Sequence, residues 1–147
     1  MQKNGFTLIE LIVVISVISF LSAIILFSVI QYINSGKDAS IRANLSILIP
    51  TGETYYNTTS QEGIGYTGFC DTNVVGSVVT QLPLPSSASD CPANTRGLCC
   101  NVKPDGNAWA ACIREFSDDT KAFCVDNRGI KKEISVSDCT TIVYQCP

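Results

Sequence analysis

The sequence predicts an α+β chain: a long N-terminal membrane helix carrying a small, disulfide-rich head built on an antiparallel sheet. Three observations predict it. Between Phe6 and Ile30 the only charged residue is Glu10. All eight Cys fall between Cys70 and Cys146. The second half of the chain alternates apolar and polar residues around turn signals, the mark of half-buried strands.

Composition narrows the classes further. A chain of 147 residues holds one ordinary domain. Its 46% hydrophobic content excludes intrinsic disorder. Charged residues reach only 16%, against about a quarter in ordinary soluble domains. The mean hydropathy of +0.23 therefore averages two physical classes in one chain. The absence of His removes His general bases, Ser-His-Asp triads and His metal sites. Net charge is −3 and the pI about 4.8. Setting aside Lys3 and Glu10 leaves nine basic and twelve acidic residues beyond Asn34, so nucleic acid is not indicated as a partner.

The first element runs from Phe6 to Tyr32 without Gly or Pro. As a helix, its 27 residues span roughly 40 Å, more than the ~30 Å hydrocarbon core of a bilayer. Lys3 on the short side places the N-terminus in the cytoplasm. A cleaved signal peptide would need a shorter apolar core closed by a small-x-small site, which Leu21-Ser22-Ala23 and its neighbours supply poorly. Glu10 is costly here, about 2.5–3.5 kcal/mol at the centre of a membrane helix, so it calls for a cationic partner.

Met1-Gln2-Lys3-Asn4-Gly5 followed by Phe6-Thr7-Leu8-Ile9-Glu10 resembles the class III signal of type IV pilins and type II secretion pseudopilins. The resemblance implies a leader over 1–5, cleavage by prepilin peptidase between Gly5 and Phe6, and N-methylation of Phe6. It implies a membrane and assembly helix over 6–34, and over 35–147 a continuation of that helix with a globular extracytoplasmic head. Glu10 would pair with the N-terminal amine of a neighbouring subunit, which gives the costly carboxylate its cation.

The same resemblance implies a structural subunit of a homo-oligomeric helical filament, not an enzyme, with no cofactor and no metal. The prepilin would sit in the inner membrane as a single-pass protein and reach the cell surface through the pilus assembly machinery. A type II secretion pseudopilin or minor pilin is the nearest alternative. A membrane-anchored adhesion or DNA-uptake module is the alternative from another class.

Past Asn34, residues Ile41, Leu45, Leu48, Tyr55 and Tyr56 share one helical face, as a helix lying on a sheet requires. Pro50 and Gly52 interrupt that face. Pro lacks the N–H and opposes the carbonyl of Ser46, so the helix should end or kink between Leu48 and Glu53.

In the head, Thr72 to Leu82 carries apolar residues at helical spacing, and Pro83 to Pro92 reads as a surface loop. Trp109, Ala111 and Ile113 alternate with Ala110, Cys112 and Arg114, predicting a strand. Ala122–Val125 and Ile130–Val136 flank a turn at Asp126-Asn127-Arg128-Gly129, predicting a hairpin.

Cys70, Cys91, Cys99, Cys100, Cys112, Cys124, Cys139 and Cys146 contain no C-x-x-C pair, so disulfides in an oxidising compartment are expected rather than zinc. Eight Cys allow 105 pairings. Adjacent Cys99 and Cys100 should have separate partners. The family resemblance implies a bridge pinning the C-terminal segment, with Cys139 or Cys146 joined to Cys124 or to each other. Asp118, Asp119 and Asp126 are read as solvated acidic turns ahead of a calcium site. Arg128, Lys131 and Lys132 are read as a solvated strand end, and Trp109 as sheet core.

Overall fold

A computed structural model describes residues 6–59, 63–82, 97–140 and 144–147, apart from the side chain of Phe27. The chain divides into two compact units, Met1–Asn34 and Ser35–Pro147. Helix α1, Leu8–Thr59, begins in the first and supplies the opening element of the second.

Among the described residues of the first unit, the apolar side chains are left largely uncovered. Leu8, Ile9, Leu11, Phe20, Ile25 and Leu26 are all more than half exposed. The most apolar stretch of α1 has a mean hydropathy of 2.8, and the helix is long and apolar enough to cross a membrane. Its serines are handled internally. Ser16, Ser19 and Ser28 donate to the carbonyls of Val13, Ile15 and Ile24 at 2.8, 2.7 and 3.2 Å, which spares their hydroxyls an unpaired state in hydrocarbon.

The second unit is a helix-on-sheet fold. After α1 come a 3₁₀ turn at Phe69–Asp71 and helix α2 at Asn73–Gln81. Strands β1 (Cys99–Val102), β2 (Trp109–Arg114), β3 (Lys121–Asp126) and β4 (Lys131–Ser135) follow, then the short helix α3, Val136–Thr140. The sheet is antiparallel in simple chain order. The predicted helix, strand and hairpin are therefore in place. Thr72 caps α2, its hydroxyl accepting from the Val75 N–H at 3.5 Å. The surface loop expected over Pro83–Pro92 lies outside the described residues.

Strands β2 and β3 are buried almost continuously because both faces of the sheet are covered. On one face, Ile41, Leu45 and Leu48 of α1 join Trp109, Ala111, Ile113, Phe123 and Val125. Tyr55 and Tyr56 pack on the same cluster, so the predicted helical face is the one that is buried. On the other face, Cys99, Cys112, Ala122, Cys124 and Ile134 pack with Cys139 and Cys146. One layer is aliphatic and aromatic; the other is built largely of sulfur.

Of the two outcomes expected at Pro50, an end is not what forms: the helix runs on through it to Thr59. Leu48 and Gly52 are buried on either side of the exposed proline, and that burial outweighs one lost hydrogen bond. Beyond it, Tyr55 donates to the Thr67 carbonyl at 2.6 Å and Tyr66 donates to Glu53 at 2.9 Å. Tertiary contacts hold the last two turns where local preference would release them.

Two charged side chains of α1 fix the helix to the sheet edge. Buried Asp38 accepts from the Phe116 and Ser117 N–H groups at 2.6 and 3.0 Å. Arg42 bonds Glu115 at 2.7 Å and Glu133 at 2.5 Å. The contact with buried Glu115 is the larger influence in raising the Arg42 guanidinium above its usual pKa.

Candidate functional site

The helix start is where the sequence concentrates its chemistry. Gly5 lies outside the described residues, and Phe6 is almost fully exposed. Thr7 and Glu10 stand three positions apart and satisfy each other. One Glu10 oxygen, Oε2, accepts the Thr7 N–H at 2.9 Å and the Thr7 hydroxyl at 2.7 Å. In return, Thr7 Oγ1 accepts the Glu10 N–H at 3.3 Å. This is a capping box, in which a helix N-terminus has its orphan donors filled by its own side chains.

The Thr7-x-x-Glu10 spacing is itself a cap signal in the sequence. The cap meets hydrogen-bonding need but brings no positive charge. Among the described residues Glu10 forms no ion pair.

The cysteines are brought together in pairs. Cys70 bonds Cys100, Cys112 bonds Cys139, and Cys124 bonds Cys146, with Cα–Cα distances of 5.6, 5.9 and 5.9 Å. Cys99 is also disulfide-bonded, and Cys91 lies outside the described residues. Of the C-terminal pairings considered, Cys146 with Cys124 is the one formed, while Cys139 goes to β2. Cys99, Cys112 and Cys139 place three sulfurs within 4.8 Å of one another, but disulfide sulfurs carry no thiolate for a metal.

The acidic turns are occupied by protein donors. Asp126 is not the solvated turn residue the sequence suggested, nor Arg128 a free strand end: Asp126 is fully buried and accepts from Arg128 N, Nε and Nη2 at 2.9, 2.9 and 2.6 Å, because the fold brings the C-terminal segment onto the turn. It also accepts the N–H groups of Ile130 at 3.2 Å and Cys146 at 3.0 Å. Arg128 reaches on to the Cys146 carbonyl at 2.8 Å. Asp126 and Arg128 thus form a clamp on the C-terminal segment, a role missed at the sequence level because Cys146 is far along the chain. Asp118 accepts the Thr120 hydroxyl and N–H, which together hold its carboxyl below the usual range, the hydroxyl first. Lys131 and Lys132 are exposed on β4, as expected of a solvated strand.

Residues 1–26 match the family model described as the prokaryotic N-terminal methylation motif. No curated protein and no solved structure matches the chain. The match covers Thr7, Glu10 and most of the exposed apolar helix and does not extend into the head.

Proposed function

We propose, for a chain whose N-terminal segment carries the signal of the type IV pilin and pseudopilin class, that it is a structural subunit of a type IV pilus-like filament. The observation that carries this reading is the methylation motif set directly on a helix whose apolar side chains lack partners. Prepilin peptidase removes residues 1–5 and the new amine of Phe6 is methylated. The helix over 6–34 rests in the inner membrane until assembly, then buries the same surface against other copies. The head over 35–147 stays on the extracytoplasmic side.

Glu10 gives the assembly step its selectivity. In lipid its carboxylate is costly, and the Thr7 cap leaves that charge uncompensated. The amine of a neighbouring Phe6 supplies the missing cation, so correct axial register is the arrangement in which both charges are paired. Repeating that head-to-tail contact without closure generates a helical polymer.

Glu10→Ala and Glu10→Leu test the reading together. Both should insert in the membrane at least as well as the unaltered chain and fail to appear in sheared surface filaments. Filaments at unaltered abundance from either variant would contradict the role given to Glu10.

A further inference from the structure

We infer that Cys99, Cys112 and Cys139 form a disulfide-exchange centre through which the bridges on the outer face of the sheet rearrange. Cys99 on β1 lies in register with Cys112 on β2, and the Cys112–Cys139 bond ties that strand to α3. The three sulfurs lie within 4.8 Å of one another, and all three residues are buried. Directly opposed residues of an antiparallel pair have Cα atoms about 4.5–5.5 Å apart, inside the range a disulfide spans. A Cys99–Cys112 bond therefore needs no backbone rearrangement.

Strand alternation keeps Cys100 out of the exchange, and sulfur proximity singles out these three on a face that also carries the Cys124–Cys146 bond. Cys100, next in sequence, points to the opposite face, where it bonds Cys70 within the helix-side core.

The step begins when an external dithiol opens the disulfide that Cys99 holds. The Cys99 thiolate then attacks Cys112 Sγ, forming Cys99–Cys112 and breaking Cys112–Cys139. Cys139 leaves as a thiolate and takes up a proton from water. The opening oxidises the external dithiol to its own disulfide and leaves Cys99 and its former partner as thiols; the exchange that follows breaks one disulfide and forms one, with no further redox change. Its consequence is mechanical: α3 loses its covalent tie to β2. In reverse, attack by Cys139 on Cys99–Cys112 restores the native bond, giving oxidative folding a local route out of one mispaired state.

Limiting dithiothreitol on the full-length protein in detergent, followed by N-ethylmaleimide and peptide mapping, tests this. The expected result is a Cys99–Cys112 linked peptide, with label on Cys139 rising in equal amount. Label on Cys99 with Cys112–Cys139 intact would overturn the inference. Cys139→Ser provides a second test without reductant, because it leaves Cys112 as the attacking thiol. That variant should yield the Cys99–Cys112 peptide and a newly labelled cysteine released from Cys99. Label on Cys112 itself, with no Cys99–Cys112 peptide, would overturn it equally.

Discussion

Gly52 of α1 lies directly under the indole of Trp109, so close that a Cβ on the glycine would come within 2.8 Å of Nε1. The ring carbons Cε2 and Cζ2 would be at 2.9 Å. Trp109 is fully buried, and Tyr66 and Phe69 pack against it at ring-centroid distances of 6.5 and 4.8 Å. The indole has nowhere to retreat. Among the described residues its N–H finds no acceptor, so the close fit against the helix backbone is kept for packing.

Gly52→Ala should therefore destabilise the head, although Ala is the better helix former. Overpacking costs about 1–3 kcal/mol, against a helix-propensity gain of about 1 kcal/mol. Trp109 is the single Trp of the chain, so its fluorescence reports the fit and the unfolding midpoint reports the cost. A midpoint above that of the unaltered protein would show that the ring yields.

Pro50→Ala should act in the opposite direction. Pro50 is exposed, so its ring contributes little packing, while its missing N–H leaves the Ser46 carbonyl without its helical donor. Restoring that donor should raise stability by up to about 3 kcal/mol, read as a higher unfolding midpoint. An unchanged midpoint would mean that the carbonyl already has a partner.

These two positions show what the sequence could and could not reveal. The spacing of Ile41, Leu45 and Leu48 marked the buried helical face, and the alternation through Trp109–Arg114 marked a strand. Pro50 and Gly52 read as a break because the ring that occupies the glycine's empty side is 57 positions away. Strand β1 escaped notice because four residues beginning with two Cys show no alternation; its pairing with β2 holds it in place. At the helix start, the capping box was legible in Thr7 and Glu10, which are near neighbours. Asp38, Arg42 and Asp126 were opaque, since each acts through partners that only the folded chain delivers.

The C-terminal clamp should carry measurable stability independent of the Cys124–Cys146 bond. Asp126→Ala strips the acceptor from the buried N–H of Cys146 and from Ile130, and a buried donor left unpaired costs about 1–3 kcal/mol. Amide exchange at Cys146 and Ile130 should accelerate together while the disulfide remains intact. Unchanged protection at both would remove the clamp.

Acid should weaken the head partly through Glu133. Hydrogen bonding from Lys121, then the charges of Lys121 and Arg42, hold this carboxyl below its usual value of 4.5. A carboxyl lowered in the folded state stabilises the fold above its unfolded pKa and loses that contribution as pH falls through the lowered value. Glu133→Gln should thus flatten the decline of the unfolding midpoint below 4.5. The effect should be small, because the side chain is 40% exposed. An identical acid limb in the variant would assign the decline to other carboxyls.

Mass spectrometry of this chain in filaments sheared from the surface of cells that make it tests the central claim most directly. The account predicts a subunit that begins at N-methylated Phe6, with residues 1–5 absent and Glu10 unmodified. Filaments that lack the chain, or a chain that retains Met1 or begins near Ala23, would contradict it.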